Sequence, residues 1–596
     1  MAERAPGTAG DPLRLLVVGA GAKALYALEE LAAQGRDGGD LPESAGPLVE
    51  ITVVDPGEHL GTGAAYHPSQ PHHLRLNVGS GILDAPATGA APSFPDWART
   101  THPELAEEPY PPRAVVGEYL RLRWRRMQAS LAPWATLRHH RGRALAVHRD
   151  GERWRLEVTA SRQAPGTQGQ LERGQGQAEQ GQGQVPASQV PTQLLGPAEE
   201  ILLATGHATG HDSALAPTWT AALPLRPAVL PVQEMLSAEH VPPGCRVAMR
   251  GGALTFVDGA LTLTLGRGAA FRPDPSGTTG LIHHRSPEEP AVILPTTRHG
   301  LLLDAKPLPG TQLPATAERA LARGARRLES AGPLTPQQVL DLAVDVAAEM
   351  LTGPDAPFEE HRRAVMRTLS TGAEPDLPQG PGRAERALRR SIAVAEGSRA
   401  GGPAWALGRT WVQLYPQFTA ALRGSEADGT AWTRFLASEQ VLERFAFGPP
   451  LDVARMLIAM IDSGALDLSW VDAGTSLRAD GVHGIPAGAG APDVVVDAVV
   501  APPGLRGIVD PLARQLLSSG LVTLRPGRRG AVIEADGTAL TSAGDRAEGL
   551  ALLGRATEDH VIGHDTLNRH LHAETGHWAA RLSRRAARSG ALEETA

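Results

Sequence analysis

The chain has 596 residues, 42% of them hydrophobic and 20% charged, with a formal net charge of −8. That length allows roughly two to four domains and a large core. The charges form no long like-sign block, which excludes the clustered basic face of a nucleic-acid binder. No run of about 18 apolar residues is present, so no membrane span is expected. The N-terminus shows no apolar leader, and the expected location is cytoplasmic. The single cysteine, Cys245, rules out an intramolecular disulfide, a Cys-based zinc site and a Cys-x-x-Cys redox centre, and reads as a small residue at a strand entry. Arginine far outnumbers lysine, and Ala, Gly and Pro are abundant, as a GC-rich genome would produce.

The first element is the apolar run Leu15–Val18, which ends in Gly19-Ala20-Gly21-Ala22-Lys23-Ala24 and leads into a helical pattern over Leu25–Leu31. Strand, Gly-x-Gly-x-x-Ala turn and helix in immediate succession form the context of a dinucleotide fingerprint. Gly19 allows the tight turn, Gly21 lets backbone approach a pyrophosphate, and Ala24 lets the helix lie close on the strand. The helix N-terminus offers free N–H groups to phosphates. A second strand over Val49–Val54 ends in Asp55, placed to accept from the adenosine ribose hydroxyls. The polar stretch Gly35–Pro47 reads as a loop insertion, which accounts for a Gly21–Asp55 interval longer than the usual spacing of about 20 residues.

Gly61-Thr62-Gly63-Ala64-Ala65-Tyr66 follows, its small residues suited to lie against a ring or phosphate. His73–Val78, with Asn77, could line the same crevice. Residues 161–193 are rich in Gln and Gly and read as a disordered excursion within a hairpin, between strands at Arg153–Val158 and Glu200–Ala204. The second of these strands ends in Ala204-Thr205-Gly206-His207. A further strand, Arg246–Arg250, runs into Gly251-Gly252-Ala253 and a helix over Leu254–Leu265. From about Leu313 to Ser463 the pattern is mostly helical, as over Ala317–Leu328, Gln337–Leu351 and Val453–Ile461. Strand patterns return at Asp493–Val500, Ala531–Glu534 and Leu550–Gly554. A sheet begun at the N-terminus and completed at the C-terminus is the economical arrangement. In the last block Gly554 opens a turn, and Asp565 is expected to N-cap a helix whose positive end would stabilise negative charge placed before it.

These motifs, together with Pro112-Arg113 leading to Tyr119, Arg250-Gly-Gly-Ala-Leu-Thr-Phe-Val-Asp258, Phe447-Gly-Pro-Pro450 and Leu553-Gly-Arg-Ala-Thr-Glu558, resemble the large FAD/NAD(P)-binding flavoproteins common in actinobacteria. That group is similar to N-hydroxylating flavin monooxygenases and includes nitrosuccinate-forming aspartate N-monooxygenases. The resemblance runs almost end to end. It implies an α/β, Rossmann-like, two-dinucleotide-binding fold with an inserted helical region. The FAD-binding domain would comprise residues 1–240, with 161–193 as its disordered insertion, and be completed by 486–596. Residues 241–310 would bind NAD(P)H and 311–485 would be mainly helical. FAD would sit across Gly19, Gly21, Ala24, Asp55, Gly61, Gly63, Asn77, Thr205, Gly206, Gly554 and Asp565, and NAD(P)H near Gly251, Gly252, Ala253 and Asp258.

The implied activity is oxidation of a small amine or amino acid through a flavin C4a-hydroperoxide. Because the cofactor does the hard chemistry, no catalytic side chain is named. A reductase or oxidase without oxygen insertion, and a non-catalytic FAD-binding protein, stay open. The chain departs from the family where Ala253 replaces a second glycine, adding a methyl where a phosphate would approach, and in its Gln/Gly insertion. His139-His140 and His283-His284 lack a third ligand at metal spacing, and neighbouring strand residues point to opposite faces, so no metal is expected. His283, His284 and Arg285 could meet an NADPH 2′-phosphate. Trp405, Trp411 and Trp432 read as helix-packing residues. The expected partner is a small-molecule substrate, without nucleic acid or membrane; the oligomeric state is not indicated.

Overall fold

The computed structural model of the chain describes residues 11–37, 48–160, 191–352 and 357–591. Its frame is set by strands β1 (Leu13–Val18), β2 (Val49–Val54), β3 (Ala135–His140), β4 (Glu200–Leu203), β5 (Arg246–Arg250), β6 (Val292–Thr296), β7 (Val494–Asp497) and β8 (Arg546–Leu552). The helices that position the site are α1 (Ala22–Asp37), α2 (Arg113–Leu131), α3 (Leu254–Leu263), α4 (Pro403–Gln413) and α5 (Glu574–Ala591).

β1 lies at the centre of a six-stranded sheet, parallel to β2 on one side and to β4 on the other. β3 extends the sheet beyond β2, and β8 extends it beyond β4. Thr538–Leu540 closes the β8 edge antiparallel. β1 and β4 are almost wholly buried apolar runs, as parallel strands covered on both faces must be. The sheet therefore does begin at the N-terminus and finish near the C-terminus. Helix α5 fastens that closure: Trp578 donates to the buried Glu200 carboxylate at 3.1 Å, and Arg581 and Arg585 ion-pair with it.

A second sheet has the order β6-β5-β7-Leu225–Arg226, all parallel. Here the structure departs from the sequence reading. The apolar run predicted over 493–500 joins this sheet rather than the N-terminal one, as does Leu225–Arg226. Period and composition mark a buried strand but not which sheet receives it. Ala531–Glu534, predicted as a strand, makes only isolated bridges, to Leu524 and Ala539. Cys245 is buried immediately ahead of β5.

The excursion is also placed differently. Arg153–Thr159 pairs antiparallel with Thr192–Ala198 in a separate three-stranded sheet, so Thr192 and Gln193 are strand and not insertion. Residues 161–190 lie outside the described residues, as do 38–47 of the predicted loop, whose first residues continue helix α1 to Asp37.

Residues 315–462 are mainly helical. Pro336–Leu351 shows why locally: Thr335 and Gln338 form a capping box and Pro336 occupies the first turn, where its missing N–H costs nothing. Trp411 and Trp432 are buried in the core of this region, whereas Trp405 is only partly buried at its border.

Candidate functional site

The first glycine turn sits at the C-terminal edge of the main sheet, the edge at which open α/β sheets bind ligands. Gly19 has φ +92°, and a side chain there would drive Cβ to 2.5 Å from the Ala204 carbonyl oxygen. Its glycine is thus required by the close approach of the turn after β4, which brings Thr205 and Gly206 beside it. Gly21 differs: its Cβ would meet only the Gly63 Cα, at 3.8 Å. Gly61 donates to the Ala20 carbonyl at 2.7 Å, so the Gly61–Gly63 loop rests on the fingerprint turn. Asp55 accepts from Ala20 N–H at 2.8 Å and Gly57 N–H at 2.7 Å. Each carboxylate oxygen keeps a lone pair for a further donor. Ala24 is fully buried against the sheet.

The second turn closes on different neighbours. Gly251 has φ +112°, and a Cβ on Gly252 would collide with the Thr297 methyl. Ala253 is exposed, in extended conformation, and N-caps α3 without a side-chain bond. Arg250 pairs with buried Asp497 at 2.8 Å. Asp258 turns away from the open side of this turn and makes a two-point ion pair with Arg113, at 2.8 and 3.2 Å, joining α3 to α2.

The His283–Arg285 segment is not beside this turn. His283 bonds buried Glu289 at 3.2 Å and Ser463 at 2.8 Å, and Arg285 bonds the carbonyls of Pro290 and Ala291. Glu289 in turn shares a backbone bond with Gly244, ahead of β5, so the group lies at the N-terminal edge of the second sheet, a strand length from Gly251. Those side chains serve the fold. His139 and His140 bond the carbonyls of Asp55 and Thr159. Among the described residues no three His, Cys, Asp or Glu side chains converge as metal ligands.

The C-terminal block reaches the first turn, but Asp565 does not cap a helix. Its carboxylate pairs with Arg555 at 2.7 Å, and the next helix, α5, starts at Glu574. Gly554, at φ +82°, lies against the Lys23 side chain. Burial lowers the Lys23 ammonium to a pKa of about 8, against the opposing pull of Asp565, Glu574 and Glu558.

Between this block and the helical region lies a cavity of about 560 Å³. Val78 and Gly79, directly after Asn77, line it together with Asp565, Thr566 and Asn568; Lys306, Tyr110 and Arg409 of α4 are also on its wall. Gly448 keeps the wall in place, since a Cβ there would collide with the Asp304 carbonyl, and Lys306 N–H donates to Pro449 O at 3.0 Å. Cations elsewhere on the wall are paired: Arg390 with Asp376 at 2.5 Å and Arg444 with Asp304 at 3.2 Å. Lys306 and Arg409 meet no carboxylate among the described residues. The Lys306 ammonium donates to the Asn77 carbonyl and lies 6.0 Å from the Tyr110 ring. Burial lowers it to a pKa of about 8. Arg409 is lowered by burial and feels only the Tyr110 hydroxyl; its Nε is buried with no hydrogen-bond partner.

Sequence reading passed over Lys306, Arg409 and Tyr110. A signal was present: the chain has two lysines in all, Lys23 and Lys306. In a protein that uses arginine at almost every surface cation, both lysines stand at the first turn or on the cavity wall.

Residues 16–168 match the model of the FAD-NAD(P)-binding family. That segment is about a quarter of the chain. The chain is also similar to two nitrosuccinate-forming L-aspartate N-monooxygenases. That of Streptomyces cremeus is 28% identical over 310 residues, 47% of this chain and 41% of the relative. That of Streptomyces davaonensis is 30% identical over 280 residues, 43% and 39%. The matched segments thus span about two fifths of these relatives. Among solved structures, the ornithine hydroxylase of Pseudomonas aeruginosa aligns over 96% of this chain and 99% of its own, with TM-score 0.46 and 11% identity, a likeness too low to bear on chemistry.

Proposed function

We propose that the chain is an FAD-dependent, NAD(P)H-using monooxygenase that oxidises a small amine or amino acid. The observation that supports this most is the placing of the cavity. Its lining residues Asp565, Thr566 and Asn568 belong to the C-terminal block that reaches Lys23 of the first glycine turn through Gly554, and it is of the size that encloses a small molecule.

The residues fit FAD. Space above Gly21 is limited only by Gly63, the N–H groups opening α1 have no intrahelical acceptor, and Asp55 has acceptor capacity left for a ribose. Gly61, Gly63, Thr205, Gly206 and Gly554 would flank the cofactor. NAD(P)H would approach Gly251–Ala253, where the exposed start of α3 offers N–H groups to a pyrophosphate. Bound FAD would supply reactivity toward dioxygen: one oxygen atom goes to the substrate nitrogen, the other leaves as water, and NAD(P)H gives the two electrons. The chain's own part is to enclose and orient the amine in the cavity and to keep water out.

Purified protein should be yellow and release FAD. Anaerobic NADH or NADPH should bleach the flavin band at about 450 nm, the observable for hydride transfer to this cofactor. In air, small amines, with L-aspartate tested first, should yield the hydroxylamine or a further oxidised product. A flavin that neither NADH nor NADPH reduces would overturn the proposal and leave a non-catalytic FAD-binding protein.

A further inference from the structure

We propose that Arg113 and Asp258 are positioning residues for hydride transfer: their ion pair sets how the second glycine turn stands relative to the first. The hydride step rests on the oxidoreductase reading above, and the clamp rests on the contacts alone.

A continuous path of contacts joins the two turns. The Gly61–Tyr66 loop rests on the first turn, with Gly61 N–H donating to the Ala20 carbonyl at 2.7 Å. Helix α2 is pressed against that loop: a Cβ on Gly61 would lie 2.8 Å from the Leu120 carbonyl oxygen, and one on Gly117 would run into the Tyr66 carbonyl. In a close-packed interior, loop and helix cannot shift independently. Arg113 opens α2, and all three of its side-chain nitrogens are used. Nε donates to the Arg75 carbonyl at 3.0 Å, and the two terminal nitrogens donate to the Asp258 carboxylate. Asp258 lies one turn into α3, whose first residue directly follows Ala253 of the second glycine turn. A further turn along α3, the Thr262 hydroxyl donates to the Asp258 carbonyl at 2.8 Å, which leaves it to accept from His73 Nε2 at 3.0 Å. Helix α3 is thus held at two successive turns by segments that pack beside the first turn.

The links from the first turn to α2 are close backbone packing. Those to α3 are side-chain bonds, and the two-pronged Arg113–Asp258 pair is the strongest of them. It is nearly buried, and a fork-to-carboxylate contact fixes orientation as well as attraction. Hydride transfer needs its reacting atoms about 3–3.5 Å apart, and a misplacement of about 1 Å can cost on the order of a hundredfold. Asp258 faces α2 and not the open side of the second turn, so it can govern that distance without adding to dinucleotide affinity.

In Asp258→Asn, the limiting rate of anaerobic flavin reduction at saturating NADPH or NADH should fall at least about tenfold. FAD content should stay near wild type, and the dissociation constant for the oxidised dinucleotide should change by less than about threefold by calorimetry. Reduction by dithionite, which needs no second turn, should be unchanged. Arg113→Lys, which keeps the charge and gives up the two-point contact, should fall between wild type and Asp258→Asn. Removing one partner strands a buried charge, whereas replacing both by apolar groups does not. Arg113→Met combined with Asp258→Leu should therefore fold and show the rate loss, and it decides the matter if Asp258→Asn does not fold. A second readout needs no turnover. Spin labels at Arg125→Cys on α2 and at Glu239→Cys, both exposed, report the spacing of the two units in a Cys245→Ala background. Glu239 lies in the turn whose Ser237 and Val241 carbonyls are held by Arg267, just beyond α3. Pulsed electron paramagnetic resonance should give a narrow distance distribution in the labelled parent and a broader or displaced one in the variants.

An unchanged limiting rate in a folded variant, a loss recovered by more dinucleotide, or a parallel loss of FAD would overturn the proposal. So would a distance distribution that is broad in the parent or unchanged in the variants. A wild-type flavin that neither NADH nor NADPH reduces sinks the oxidoreductase reading instead, and the label distances then still decide the clamp.

Discussion

The two glycine turns look alike in sequence and use their glycines differently. At the first turn Gly19 is needed by the protein itself, pressed against the Ala204 carbonyl, whereas Gly21 leaves open space. At the second turn both glycines serve closure: Gly251 through its positive φ and Gly252 through Thr297. The room there lies over Ala253, at the exposed start of α3. A glycine in a fingerprint can therefore be an internal requirement or a place kept clear for something else, and only the neighbours tell which.

The comparison can be broken most forcefully at Gly19. Gly19→Val combines a positive φ with a backbone collision, a cost on the order of 3 kcal/mol or more. It should lower the melting temperature sharply and abolish flavin retention; a stable, yellow variant would refute the assignment of Gly19 to closure. Gly252→Ala comes next. Its methyl forces Thr297 aside, at about 1–3 kcal/mol, and should slow anaerobic flavin reduction about tenfold while FAD content stays near wild type. Equal loss of FAD would mean the two turns are not independent.

Gly21→Ala sharpens the contrast, because the protein has room for the methyl. Stability should change by no more than about 0.5 kcal/mol, yet the FAD dissociation constant should rise at least about tenfold. A fourth test uses Lys23, which has no counterpart at the second turn. Its folded pKa of about 8 lies below the ordinary lysine value of 10.5. The unfolded chain therefore binds more protons between these values, and apoprotein should gain stability from this group as pH rises from 8 toward 10.5. A bound pyrophosphate would raise the folded pKa and remove that gain, so melting curves with and without FAD should differ in their alkaline slope. The smallest effect is expected from Ala253→Gly: a few tenths of a kcal/mol at the α3 N-cap, with the reduction rate unchanged or raised.

What could be read from the sequence follows the range of the interactions. The strand–turn–helix units are specified within about ten residues, so β1–α1 and β5–α3 are legible from glycines and apolar runs. Sheet membership is not, which is why the strand near 494 fell to the wrong sheet. Asp565-Thr-Leu has the local form of a cap, but Arg555, ten residues earlier, takes its carboxylate. The His283–Arg285 cluster looked like an anion site because buried Glu289, which occupies it, has no local signature. Lys306 and Arg409 lie about a hundred residues apart and reach the wall of one cavity only through the fold.

The closure of the main sheet by β8 bears on how the chain is made. β4 is complete at Leu203, and its neighbour β8 begins only at Arg546; at a ribosomal rate of about 5–20 residues per second, the β4 edge waits roughly 20–70 seconds for its partner. Until then β4 presents an unpaired parallel edge, and Glu200 lacks the tryptophan and two arginines of α5 that surround it in the finished protein. The helical region is built of local contacts and can form during that interval. The nascent molecule would therefore carry a folded middle between the halves of an unfinished sheet, with an edge open to chaperones or to a second chain, and would gain a complete nucleotide-binding sheet only once β8 has been made.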